Sequence, residues 1–140
     1  PTLYWSKRTG RYGEQFNMPK FRTMSIDAPL APTKQLTDAQ SHITPVGKIL
    51  RKTSLDELPQ LFLVIKGDMS LVGPRPVLII ETNLIRKRQE AGVNVLRPGI
   101  TGWAQINGRD DLDEEEKVCR DAEYLARQSI IFDLFILLIF

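Results

Sequence analysis

"SLDELPQLFLVIKGDMSLVGPRPVL", Ser54 to Leu78, sets two acids, Asp56 and Glu57, side by side just before a proline, Pro59. Ser54 and Glu57 have the S-x-x-E spacing of a capping box, in which Glu57 would reach back to the backbone N–H of Ser54 while Asp56 favours the helix dipole. In that reading the acids need no further role. With Ser54 as N-cap, Leu55, Leu58, Leu61, Phe62 and Ile65 form one apolar stripe and Gly67 is a natural stop, which predicts a short amphipathic helix. Pro59 would be its fifth residue, where the ring meets the carbonyl of Leu55 and one backbone bond is lost. A local rule is thus broken beside two acids. Such breaks gather at functional sites, and harmless first-turn kinks are as common.

Downstream, "GPRPV" holds Arg75 between Pro74 and Pro76. Proline fixes its own φ and biases the preceding residue toward extended geometry, so this arginine has little backbone freedom. A rigid arginine suits a phosphate clamp; a plain turn with an exposed arginine is the alternative. The pattern from Val77 to Ala91 reads as a helix carrying "RKR" at 86–88, either a solvated face or one apt for anionic lipid. "RPGITGWAQINGR", 97–109, has three glycines, two arginines and a tryptophan. That glycine density would let backbone N–H groups approach a ligand, as in phosphate-binding nests. It lacks the GK[ST] of a Walker loop.

Upstream, "PTLYW" has strand character, "RTGRYGEQ" is a Gly-containing turn and "FNMPKFRTM" resumes an extended run, together a hairpin lined by Lys7, Arg8, Arg11, Lys20 and Arg22, which read either as a phosphate-facing surface or as solubilising charge. Residues 27–38, with two closely spaced prolines, read as a surface loop. In "HITPVGKILRK", Ile43, Val46, Ile49 and Leu50 fall at helical spacing and Arg51-Lys52 suit a helix C-terminus. The acidic run "DDLDEEE", 110–116, reads as a helix start rather than a metal cage, because consecutive acids point in different directions. A helix from Asp113 to Gln128 would turn Val118, Ala122 and Leu125 inward, with Cys119 a buried structural thiol. "IIFDLFILLIF", 130–140, is the longest apolar run and is broken by Asp133. It is shorter than the ~20 residues that span a bilayer, and reads as a core or interfacial helix.

A chain of 140 residues fits one domain, 1–140, with a core that needs no staples. The lone cysteine excludes an intramolecular disulfide, and the single His42 belongs to no cluster with zinc spacing. The net charge of +2 hides a segregation: residues 1–109 carry 16 of the 19 Lys and Arg against 8 of the 17 Asp and Glu, a surplus of +8, whereas residues 110–140 have a net −6. The basic body would attract anions: nucleotide, nucleic acid or an anionic membrane. The basic clusters Lys48/Arg51/Lys52 and Arg86/Lys87/Arg88, with the apolar end, suggest a domain resting on a membrane leaflet. The start at Pro1 and the apolar end read as a piece of a longer chain.

Three blocks in register, "KFRTM" at 20–24, "LRKTSLDELPQLFLVIKGDMSLVGPRP" at 50–76 and "RPGITGWAQINGR" at 97–109, resemble the bacterial sugar transferase family, the monotopic polyprenyl-phosphate phosphoglycosyl transferases. The resemblance implies an enzyme on the cytoplasmic face of the bacterial inner membrane. It would move a sugar-1-phosphate from a UDP-sugar to polyprenyl phosphate, releasing UMP, with Mg²⁺. It implies Asp56 as nucleophile with Glu57 as its metal-binding neighbour, both reaching the metal, and Arg75 as the diphosphate clamp. Lys20, Arg22, Arg97 and Arg109 are further phosphate candidates, and Asp121 and Asp133 are candidates for acidic support. The family's N-terminal membrane segment would precede Pro1. The expected fold is α+β, an N-terminal β-hairpin followed by several helices, some lying along the membrane interface. Two other classes stand beside the enzyme: a non-catalytic UDP-sugar-binding or assembly protein, and a basic nucleic-acid-binding module, which has no recognised motif here.

Overall fold

The computed structural model describes residues 2–29, 37–108 and 111–140, an α+β fold. The predicted hairpin is present: β1 (Leu3–Thr9) and β2 (Gln15–Phe21) pair antiparallel from Leu3↔Phe21 to Thr9↔Gln15. The turn between them contains a single 3₁₀ turn, Arg11–Gly13, in which Tyr12 and Gly13 have positive φ. Pro19 interrupts β2 without harm because β2 is the sheet edge, where a missing N–H costs no ladder bond. The register places Tyr4, Ser6 and Arg8 on one face together with Lys20, Met18 and Phe16, their respective partners.

After α1 (Ala39–His42), helix α2 (Pro45–Thr53) starts at Thr44, whose hydroxyl oxygen accepts from Gly47 N–H at 2.9 Å, with Pro45 in the first turn. The apolar positions at helical spacing do not all face the core here. Val46 and Ile49 are exposed, and Gly47 is the buried position, packed so closely on the Thr23 backbone that a Cβ would collide with it. Most of the predicted 27–38 loop, residues 30–36, lies outside the described residues.

The opening stretch departs from a single capped helix. Ser54 is the left-handed terminator of α2 (φ 58°) and its side chain makes no capping bond. Leu55–Gln60 then forms a 3₁₀ helix, followed by α3 (Leu61–Lys66) and the predicted stop at Gly67 (φ 97°). Pro59 bears on the change: it has no N–H for either kind of helix, and in an α-helix from Leu55 its ring would also meet the Leu55 carbonyl. The apolar stripe faces outward: Leu55, Leu58, Leu61, Phe62 and Ile65 are exposed and Leu63 alone in α3 is buried.

Strand β3 (Ser70–Val72) leads into the proline turn, and β4 (Val77–Leu78) pairs with β1, completing a sheet of order β2-β1-β4. The expected helix over 77–91 therefore begins only at α4 (Thr82–Glu90). Val77 and Leu78 are buried in the sheet, and Glu81 folds back to accept from Leu78 N–H at 2.8 Å, ending the strand. A short apolar run such as 77–80 does not distinguish strand from helix by period.

A 3₁₀ turn, Val93–Val95, precedes β5 (Gly99–Thr101), which runs parallel to β3. The glycines of this block serve packing rather than a ligand nest: a Cβ on Gly99 or Gly102 would strike the backbone of Gly73. Gly99→Ala should therefore cost about 2 kcal/mol and lower the midpoint of thermal unfolding by several degrees. Cys119→Ala should change it by no more than about 0.5 kcal/mol of stability, because Cys119 is exposed on its helix rather than buried as the sequence suggested.

The short α5 (Trp103–Ile106) is followed by α6 (Glu114–Arg127), whose capping box comes from the acidic run. Asp113 Oδ1 accepts from Glu116 N–H at 2.8 Å, and a Glu116 carboxylate oxygen accepts from Asp113 N–H at 2.9 Å. The fully buried positions of α6 are Asp121 and Tyr124; Val118, Ala122 and Leu125 are half-buried. Helix α7 (Ile130–Ile139) inserts Phe132 and Ile136 into the main core with Val72, Val93, Leu96 and Tyr124. A second cluster, Met18, Leu63 and Met69, ties the hairpin to α3.

Candidate active site

The hairpin face, the 3₁₀ helix and the proline turn converge on a cleft of about 690 Å³, whose lining includes Arg8, Lys20, Asp56, Glu57, Arg75 and Arg88. The period of two along β1 and β2 aims Arg8 and Lys20 at it. The 3₁₀ helix supplies both acids from its first turn: Asp56 is 7% exposed, and Glu57 accepts at one oxygen, Oε1, from Lys20 Nζ (3.2 Å) and Arg75 Nη1 (3.3 Å). Glu57 is thus committed to two cations and does not cap a helix.

The two acids are electrostatically unequal. Burial pushes the Asp56 carboxyl above the ordinary carboxylate range and its neighbour Glu57 adds to this, against the pull of Lys20 and Arg51. Burial acts the same way on Glu57, but Arg75 and Lys20 overcome it and leave that carboxyl below its usual value. Burial, then Arg75, brings Lys20 down to about 8, and the same two causes bring Arg8 down to about 10. Three cations crowded around one well-paired acid make a pocket short of negative charge, which is what an anionic ligand would supply.

The other candidates divide. Arg22 lines the cleft, its guanidinium 5.5 Å from the centre of the Tyr4 ring. Arg97 is exposed and does not line the cleft. Arg109 lies outside the described residues. Asp121, 2% exposed, stands beneath the cleft with its Oδ2 2.9 Å from Arg88 Nε; burial raises its pKa against the opposing pull of Arg88. Asp133 accepts from the Tyr124 hydroxyl at 2.7 Å, and that tyrosine belongs to the core. The contact explains the Asp133 in an apolar run, and Asp133 is not part of the cleft lining.

Sequence reasoning did not select Arg8, Arg51 or Arg88 for the site, although all three line the cleft. A signal existed for Arg88: it follows the buried Leu84 by four residues, hence on the same face of α4. Gln105, buried with its Oε1 unpartnered, also lines the cleft and carried no sequence signal beyond its place between glycines.

Among the described residues, no group of three or more His, Cys, Asp or Glu could enclose a metal. The donor set nevertheless fits Mg²⁺, which takes one or two carboxylates and completes its shell with phosphate oxygens and water. Both recorded cation contacts of Glu57 fall on Oε1, which leaves Oε2 and the Asp56 carboxylate as metal donors.

Residues 1–139 match the family described as bacterial sugar transferase. The chain is 43% identical over 137 residues to a sugar transferase of Bacillus subtilis, EpsL, covering 98% of this chain and 66% of that one. It is 39% identical to the undecaprenyl-phosphate galactose phosphotransferase of Salmonella typhimurium, over 98% of this chain and 32% of that protein. It is also 39% identical to the UDP-glucose:undecaprenyl-phosphate glucose-1-phosphate transferase of Escherichia coli, over 96% of this chain and 30% of that protein. The cleft with its paired acids thus sits within the segment shared with these proteins, and the chain belongs to the bacterial sugar transferase family.

Proposed function

We propose that this chain carries the catalytic centre of a phosphoglycosyl transferase that moves a sugar-1-phosphate from a UDP-sugar to polyprenyl phosphate and releases UMP. The observation that carries this is the pairing of a buried, weakly solvated Asp56 with a cationic cleft at Lys20, Arg8 and Arg75. The names of the Salmonella and Escherichia relatives supply the acceptor and sugar classes. A binding module for nucleic acid would spread its charge along a surface, whereas here the cations surround an acidic pair.

In the proposed reaction an Asp56 carboxylate oxygen attacks the sugar-bearing phosphorus of the donor. The bond from that phosphorus to the bridging oxygen breaks, and the electron pair leaves with UMP. A phosphate oxygen of the polyprenyl acceptor then attacks the same phosphorus and Asp56 leaves as carboxylate, so the two displacements balance. Raising the Asp56 pKa by burial strengthens its basicity as a nucleophile. Arg75, Lys20 and Arg8 offset the repulsion between a carboxylate and a diphosphate, and Glu57 holds Arg75 and Lys20 in place until the donor arrives. Mg²⁺ bound by Glu57 and Asp56 would neutralise charge on the diphosphate. The test is UMP release from a panel of UDP-sugars with polyprenyl phosphate present: turnover with at least one donor is expected, and none with any would overturn the reading.

The acceptor's lipid chain calls for a membrane surface, and we place the enzyme on the cytoplasmic face of the bacterial inner membrane. None of the described helices is long and apolar enough to cross one. Apolar side chains are instead exposed along short elements: Leu58, Phe62 and Ile65 (86% exposed) near the dyad, and Ile130, Ile131 and Leu138 on α7. Of the basic clusters, Lys48 and Lys52 are exposed beside Val46 and Ile49, whereas Lys87 is paired with Glu114 and Glu115, Arg88 is half-buried against Asp121, and the exposed Arg86 lies 3.6 Å from Glu90. The 86–88 cluster therefore has its charges matched by acids of this chain and offers a lipid surface less than Lys48 and Lys52 do. The chain should bind anionic vesicles more tightly than neutral ones and release with salt. Replacing Lys48 and Lys52 by Ala should weaken binding roughly thirtyfold, at about 1 kcal/mol per basic residue near the surface. Equal, salt-independent binding to both vesicle types would contradict the electrostatic part.

A further inference from the structure

The Pro74-Arg75-Pro76 turn lacks two backbone donors, yet each of its three consecutive carbonyls is held by a different part of the fold. Pro74 O accepts from Gly99 N–H at 2.8 Å, Arg75 O from Arg88 Nη1 at 2.7 Å, and Pro76 O from Arg8 Nη1 at 3.1 Å. With φ set by the ring at both prolines, the turn keeps the freedom of Arg75's own φ and of the carbonyl orientations, and these set the direction in which the Arg75 Cα–Cβ bond leaves the backbone. Arg88 is itself held from below by charge: its side chain is 11% exposed and its Nε lies 2.9 Å from Asp121 Oδ2 on α6, an ion pair whose geometry is not that of a hydrogen bond.

We propose that Arg88, anchored by Asp121, is a positioning residue that grips the Arg75 carbonyl and so aims the Arg75 guanidinium at the diphosphate of the donor. This rests on the donor reading above. Arginine is required because one planar fork must serve two partners, the carbonyl through Nη1 and the carboxylate beside Nε. A lysine ammonium has three donors but one nitrogen, which cannot stand at both the Nη1 and the Nε positions. The buried ion pair thereby links α6, far along the chain, to the turn beside the dyad. It also explains why a carboxylate and a guanidinium are kept inside the fold, where hydrophobic residues of similar volume would serve stability as well.

The experiment is a double-mutant cycle on the full chain, with UDP affinity measured by calorimetry for the parent, Arg75→Met, Arg88→Met and the double variant. Losing a charged hydrogen bond to the ligand should make Arg75→Met bind roughly tenfold more weakly or worse. Arg88→Met should also weaken UDP binding severalfold, and the double variant should be no weaker than Arg75→Met alone, because Arg88 acts through Arg75. Arg88→Lys should fail to restore affinity. Should Arg88→Met not fold, Asp121→Asn with and without Arg75→Met carries the same cycle, again with the second loss absent in the Arg75→Met background. Losses that multiply, or full affinity in Arg88→Lys, would overturn the positioning role while leaving the donor reading intact. A folded parent that does not bind UDP would overturn the donor reading, and the positioning role with it.

Discussion

Asp56→Asn should abolish turnover while leaving the protein as stable as the parent or more so. Removing a covalent nucleophile costs on the order of 10⁴-fold or more in rate, because the groups left behind only bind and polarise. The stability expectation comes from the other side of the same physics. Burial raises the Asp56 pKa in the folded protein, so above the unfolded-state pKa its ionised form opposes folding. Asparagine has the same shape and no charge, and it relieves that cost. A catalytic group kept at the expense of stability should show both effects in one variant, measured as UMP release and as the midpoint of thermal unfolding. A clear loss of stability in Asp56→Asn would show that the carboxylate is held as a structural ion pair.

Glu57→Gln should lose activity and stability together. Glu57 has its pKa depressed on folding, so its contribution to stability is present above the unfolded-state pKa and is lost as pH falls through the folded value, the opposite sign to Asp56. Glutamine leaves Lys20 and Arg75 close together with no anion between them, a loss of about 2 kcal/mol for the charged hydrogen bonds. It also removes a metal donor, so turnover should fall roughly 10²- to 10³-fold, the scale of losing one preorganised electrostatic contact. Chelation by EDTA should abolish the parent's turnover and Mg²⁺ should restore it. Full activity in EDTA would remove the metal from the mechanism, and equal stability of Glu57→Gln would show that the pair with Lys20 and Arg75 contributes nothing to the fold.

Local chemistry explains how much of this was legible beforehand. The hairpin could be read because a turn with glycine separated two extended runs, and the start of α6 because its acids had one consistent explanation. The dyad was visible as a pair of acids at a broken helix rule, although the expected capping box was not formed. Ser54 met the spacing rule, but it closes the preceding helix in a left-handed conformation, which no spacing discloses. Val77 and Leu78 failed for a different reason: the partner that makes a strand of them, β1, is about seventy residues away in sequence. The parts that Arg8 and Arg88 play were not legible for the same cause, since the Pro76 carbonyl lies far along the chain from Arg8, and Asp121, on a later helix, from Arg88. The apolar stripes at 43–50 and 55–65 could be counted but not given a side, because period alone locates a face and does not say whether protein, water or lipid covers it.

The central claim is a covalent bond between Asp56 and the sugar-bearing phosphorus, and a single-turnover measurement tests it most directly. The full chain is mixed with an active UDP-sugar and Mg²⁺ in the absence of polyprenyl phosphate, then quenched for UMP quantitation and intact-mass analysis. The account predicts up to one equivalent of UMP per active site and a protein heavier by one phosphosugar, mapping to Asp56 and absent from Asp56→Asn. An enzyme that turns over with both substrates, yet releases no UMP and gains no mass until the lipid acceptor is added, would contradict it.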